Sequence, residues 1–160
     1  MRLLLLCVGR TKAGPERELA ARYIERTAAA GRGIGFTGIE LREIEESRAA
    51  RPEDRKAEEA KILRGLVPSR ASIMALDETG KQMTSRNFAA QLAGVRDQGI
   101  PHLVFVIGGP DGLDPAFLKT AALTLSFGTM TWPHQFVRAM AAEQIYRAVT
   151  ILTGHPYHRD

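Results

Sequence analysis

The sequence predicts an α/β fold built on a parallel, doubly wound sheet. Short apolar runs alternate with helical patterns along the whole chain, as crossover units on a parallel sheet require. Three of these runs, closing at Leu76, Ile107 and Leu125, stop in loops of small or polar residues. Open α/β sheets place their ligands at such carboxyl ends, so the three loops are expected to wall one pocket. A chain of 160 residues fits one domain, 1–160, able to bury a core without disulfides or metal.

Each element has a local reason. Arg2 to Val8 is a continuous apolar strand bounded by Gly9. Pro15 opens a helix to about Ala30, with Leu19, Tyr23, Ile24 and Thr27 on one face. Gly31, Gly33 and Gly35 end it, and a second strand follows near Phe36 to Ile44. Pro52 starts a second helix with acids in its first turn and Lys61 and Arg64 in its last, as the helix dipole prefers. Its mixed charges read as a solvated face, with phosphate contact by Arg48, Arg51, Arg55 and Lys56 as the alternative. Ser72 to Leu76 is a third strand; Thr84 or Ser85 caps a helix whose apolar face is Phe88, Leu92 and Val95. Leu103 to Ile107 is the fourth strand. Asp114-Pro115 couples an N-cap to proline at the first helical position and predicts a helix to about Ala122. Leu123 to Leu125 is the fifth strand, and the last helix runs from Pro133 to about Thr153.

Composition narrows the classes. The single Cys7 lies inside an apolar run, which excludes a structural disulfide within the chain and fits a reducing compartment. Leu3 to Val8 is too short for a signal peptide, and no stretch approaches the roughly 20 apolar residues of a membrane span, so a soluble, cytoplasmic protein is expected. The formal net charge is +4. From Phe117 onward the only acids are Glu143 and Asp160, so the basic excess gathers at the end that carries the candidate site and favours an anionic partner.

The loops carry the chemistry. Ile107-Gly108-Gly109-Pro110-Asp111-Gly112 is neither a Walker A motif nor a dinucleotide fingerprint. It reads as a tight turn, or, because of the Gly108-Gly109 pair, as a place where a ligand nears the backbone. The segment Phe127 to Trp132 has no charged side chain, which suits recognition by backbone groups and apolar walls such as Leu76, Leu113, Leu125, Met130 and Trp132. An adenine ring fits such walls. The tail His155-Pro156-Tyr157-His158-Arg159-Asp160 reads as a frayed terminus or as an RNA contact, since tyrosine, histidine and arginine stack on bases and bond phosphates. It is poor in metal ligands, and no metal is expected. Glu143 and Arg147, four apart, read as a helix-surface ion pair.

Together, Val8-Gly9-Arg10-Thr11-Lys12, Leu76-Asp77-Glu78-Thr79-Gly80-Lys81, the glycine loop 107–113, Leu125-Ser126 with Met130-Thr131-Trp132-Pro133-His134, Glu143-Gln144-Ile145-Tyr146-Arg147-Ala148 and His155-Pro156-Tyr157-His158-Arg159 resemble the bacterial ribosomal large subunit methyltransferase H family. The likeness covers essentially the whole chain in order. It implies a SPOUT-class α/β-knot fold with a C-terminal deep trefoil knot, acting as a homodimer. It further implies S-adenosylmethionine held by Leu76, Gly108, Gly109, Phe127, Gly128, Thr129, Met130, Thr131, Trp132 and Pro133. The implied reaction is methylation of N3 of a pseudouridine in the helix 69 hairpin of 23S rRNA, on assembled 70S ribosomes. His158 would then assist removal of the imide proton, and Tyr157 and Arg159 would position the nucleotide from the other protomer's tail. Gly128 stands where relatives often have Ser, and Trp132 where Phe is usual. Two rivals are a related enzyme acting on tRNA or another ribosomal base, and a non-catalytic ribosome-binding or nucleotide-sensing protein of the same fold.

Overall fold

A computed structural model describes residues 1–159; Asp160 lies outside the described residues. Five strands, β1 (Arg2–Val8), β2 (Gly38–Ile44), β3 (Ala71–Lys81), β4 (His102–Ile107) and β5 (Leu123–Leu125), form one sheet in the order β2-β1-β4-β3-β5. Every pairing is parallel. The helices are α1 (Pro15–Gly31), α2 (Pro52–Leu66), α3 (Ser85–Asp97), α4 (Pro115–Leu118) and α5 (His134–Thr153).

The strand alternation decides which helix covers which face. Leu3, Leu5, Cys7, Leu103, Phe105 and Ile107 point to a core shared with Ala20, Phe88, Leu92, Ala142 and Ile145 of α1, α3 and α5. Leu4, Leu6, Val8, Val104 and Val106 point to the opposite core, against Ala60 and Leu63 of α2 and Phe117 of α4. A sheet covered on both faces needs no polar side, which is why β1 and β4 read as unbroken apolar runs. Burial pushes the Cys7 thiol up to about 12, so the thiol stays protonated and serves as packing.

Three boundaries differ from the sequence expectation, each for a non-local reason. β2 begins at Gly38, because Phe36 turns inward under α1 and is buried. On α1, Tyr23, Ile24 and Thr27 face the core as expected and Ala20 joins them, while Leu19 is 40% exposed. α4 ends at Leu118, after which the Ala122 amide donates to the Ile73 carbonyl at 2.9 Å and draws the chain to the sheet. β3 continues to Lys81, because Leu125 pairs both with Leu76 and, across a register shift, with Lys81.

Candidate functional site

The carboxyl ends of β3, β4 and β5 enclose a cavity of about 440 Å³. Its β4 wall folds back on itself, the Gly112 amide donating to the Gly109 carbonyl at 2.9 Å. A Cβ on Gly108 would lie 2.7 Å from the Gly112 carbonyl carbon, and one on Gly109 would lie 3.0 Å from a Val8 methyl carbon. Both glycines line the cavity, yet what demands them is the closure of the loop on itself and on β1 rather than the approach of a ligand.

Arg55 of α2 fixes this loop from outside. It donates to both Asp111 carboxylate oxygens, at 2.6 and 2.9 Å, and to the Ala49 and Ala50 carbonyls. Those hydrogen bonds hold the Asp111 carboxyl below the usual range. Of the cations considered for phosphate contact, Arg55 is thus occupied by the loop and Arg51 by Asp54 at 2.8 Å, while Lys56 lines the cavity.

The β5 wall is set by Ser126, whose hydroxyl donates to the Gly128 carbonyl at 2.9 Å and accepts from the Gly128 amide at 3.2 Å. Gly128 has φ 125°, a conformation that favours glycine. Beyond it Met130 and Trp132, 71% and 43% exposed, stand as large apolar groups at the cavity edge. On the β3 wall Asp77 accepts from the Thr79 amide at 3.0 Å and the Thr79 hydroxyl at 2.6 Å, contacts that fix its carboxylate on the second half of the strand.

Of the residues expected at the cofactor site, Leu76, Gly108, Gly109, Phe127, Gly128, Met130, Thr131 and Trp132 line the cavity. Thr129 and Pro133 belong to the same segment but are not among the lining residues. The cavity is also walled by Asp77, Glu78, Asp111 and His134, which the sequence reading passed over. The basic bias of the C-terminal sequence therefore does not describe the cavity, whose side-chain charges are mainly acidic. The signal for two of these acids was present: Asp77-Glu78 follows β3's last buried residue directly.

His134, the first residue of α5, lies 3.9 Å from the Glu46 carboxylate. Burial, then the Arg138 charge, hold its pKa below the ordinary 6.5 against the pull of Glu46, so the imidazole is neutral at pH 7. One turn on, Arg138 is buried and donates to the Val8 carbonyl, the Thr11 hydroxyl and the Glu43 carboxylate.

The tail lies elsewhere. The Tyr157 hydroxyl donates to Glu143 at 2.9 Å and sits 3.2 Å from the Tyr23 hydroxyl. Its ring meets Tyr146 edge-on at 4.8 Å, with the Arg147 guanidinium 4.8 Å from its centroid. His158 Nδ1 is 3.3 Å from Arg147, and Arg159 is exposed. Glu143 and Arg147 are therefore the root of a clasp that ties the tail to α1 and α5, more than a surface pair. A second cavity of about 460 Å³ opens beside Tyr23 and Glu143 and shares the wall Leu125 to Gly128 with the first. Neither cavity is lined by Tyr157, His158 or Arg159 of the same chain. Among the described residues no group of three metal-ligating side chains is assembled, and no helix is long and apolar enough to cross a membrane.

The family described as "Predicted SPOUT methyltransferase" matches residues 1–158. The chain belongs to the SPOUT methyltransferase family. Within it, a protein named ribosomal RNA large subunit methyltransferase H from Methylocella silvestris is 59% identical over 160 residues, 100% of both chains. A relative of the same name from Beijerinckia indica subsp. indica is 58% identical over 159 residues, 99% of each chain. Identity at this level over the full length places the chain in the ribosomal RNA large subunit methyltransferase H family. The solved structure of a probable methylase family protein from Haemophilus influenzae Rd KW20 superposes with a TM-score of 0.52 at 12% identity, covering 99% of this chain and 70% of that one, a likeness of fold alone.

Proposed function

We propose that this SPOUT methyltransferase, one domain over 1–160, transfers a methyl group from S-adenosylmethionine to large-subunit ribosomal RNA. The target in this reading is N3 of a pseudouridine in the helix 69 hairpin of 23S rRNA, on assembled 70S ribosomes in the cytoplasm. The rRNA substrate follows the names of the full-length relatives. One observation carries the donor assignment: the second half of β3 and the loops after β4 and β5 converge on a single cavity whose walls combine apolar side chains, backbone groups and carboxylates.

That wall chemistry fits the donor. An adenine ring suits Leu76, Leu113, Leu125 and Trp132, and a sulfonium cation suits Asp77 and Glu78. Leu76, Gly108, Gly109 and the segment Phe127 to Pro133 would hold it. When bound, the donor supplies an activated methyl group. The protein's part is to align the nucleophile and exclude water, for which the loops fixed by Arg55–Asp111 and by Ser126 are preorganised.

Tyr157, His158 and Arg159 belong to this reading as nucleotide contacts delivered by a second copy of the chain, since the chain's own tail is clasped on α1 and α5. The homodimer is supported by the second cavity and by Leu19 and Phe136, 40% and 48% exposed, beside that clasp. A C-terminal trefoil knot belongs to the same reading, as the family likeness implies. Trp132 is the chain's single tryptophan and lines the donor cavity, so its fluorescence reports occupancy directly. Addition of S-adenosylmethionine is expected to change that emission saturably; an emission unchanged at millimolar donor would remove the donor from this cavity.

A further inference from the structure

We infer that His134 is the group that accepts the imide proton of the RNA base during methyl transfer. The inference rests on the proposed reaction and deepens it. A neutral imide nitrogen is a poor nucleophile, so its proton must leave as the new bond forms. The N3–H bond breaks toward the imidazole, the freed N3 electron pair forms the N–CH₃ bond, and the pair of the breaking S–CH₃ bond remains on sulfur. The imidazolium then passes its proton to water.

Placement singles out His134 among the histidines. It is the one imidazole lining the donor cavity; His102, His155 and His158 line neither cavity. His158, the sequence-based choice for this task, lies 3.3 Å from the Arg147 guanidinium in the tail clasp of its own chain, away from both cavities. His134 instead lines the cavity with the Glu46 carboxylate 3.9 Å from Nε2, beyond hydrogen-bond length but close enough for its charge to favour the imidazolium that forms. Glu46 itself lies against β1, where a Cβ on Gly9 would come within 2.5 Å of its Oε1. The remaining charged groups around His134 are Arg138 on its own helix, Glu43 bonded to that arginine, and Asp77, Glu78, Asp111 and Lys56 in the cavity walls. Burial and Arg138 keep the ring unprotonated near neutrality, the state a proton acceptor needs.

The test is single-turnover methylation of 70S ribosomes at saturating donor across pH, for wild type, His134→Gln and His158→Gln, with S-adenosylhomocysteine affinity measured in parallel. His134→Gln is expected to slow transfer by about a hundredfold or more while product-analogue affinity stays within about twofold. Wild type and His158→Gln should lose rate as pH falls, with a midpoint below 6.5, and His134→Gln should lack that limb. A His134→Gln rate within about threefold of wild type, or an acid limb lost in His158→Gln instead, overturns the assignment. Independently of activity, the His134 ring resonances of wild type should titrate below 6.5 and shift on adding S-adenosylhomocysteine. Titration at or above 6.5 with no shift overturns it even if the variant does not fold. Wild type that transfers no methyl to pseudouridine would instead contradict the proposed function.

Discussion

Arg138 of α5, 1% exposed, donates to the Glu43 carboxylate of β2 at 2.8 Å and so bolts the last helix across the carboxyl end of β1. The same guanidinium reaches the Val8 carbonyl and the Thr11 hydroxyl. Removing it takes a donor from the Val8 carbonyl and leaves the Glu43 carboxylate with the Thr11 amide and hydroxyl alone. Arg138→Met is expected to cost about 3–5 kcal/mol of unfolding free energy. Arg138→Lys should cost less, since the charge remains although the fork that spans three acceptors is lost. Denaturant unfolding checks this; a cost below about 1 kcal/mol for the methionine variant would show the bolt to be dispensable.

Gly80 marks the closest approach of two chain segments. A Cβ there would lie 2.5 Å from the Leu125 carbonyl carbon and 2.7 Å from its amide nitrogen, and backbone cannot yield as a side chain can. Gly80→Ala is expected to destabilise by about 1–3 kcal/mol and to slow refolding. Gly33, whose Cβ would meet nothing within 4 Å, is the control. Gly33→Ala should be neutral or stabilising by about 0.5 kcal/mol. Equal stability of the two variants would refute the close passage.

The Tyr157 clasp predicts an alkaline signature. Burial, then the hydrogen bonds to Tyr23 and Glu143, push the phenol above its ordinary 10.0, so folding favours the protonated form. The stability it contributes is complete below pH 10 and is lost as pH rises through the folded value. Tyr157→Phe keeps the ring contacts and removes the hydroxyl. It should cost about 1 kcal/mol at neutral pH, speed hydrogen exchange in the last turn of α5, and flatten the alkaline decline. An unchanged pH profile would place the tail off the helix in solution.

Much of the fold was legible because the sheet is buried on both faces. Leu3 to Val8 and Leu103 to Ile107 could be little else than inner strands, and the caps at Thr84 and Asp114 bond the amides of Asn87 and Phe117 as their types suggest. What escaped was non-local. The extension of β3 to Lys81 depends on Leu125 arriving alongside, and the early end of α4 depends on Ile73. The site's apolar and glycine walls were visible as strand ends, whereas its acids looked like ordinary turn residues. His134 looked like a helix start until the fold turned it into the cavity. The clasp joins Tyr157 to Tyr23, residues 134 apart, and no local pattern encodes that contact.

The most direct measurement is transfer of labelled methyl from S-adenosylmethionine to purified 70S ribosomes, followed by mass mapping of the modified nucleoside. The account predicts label on N3 of one pseudouridine in the helix 69 hairpin of 23S rRNA. Label on another base or on tRNA, or donor bound without transfer to any ribosomal RNA, would contradict it.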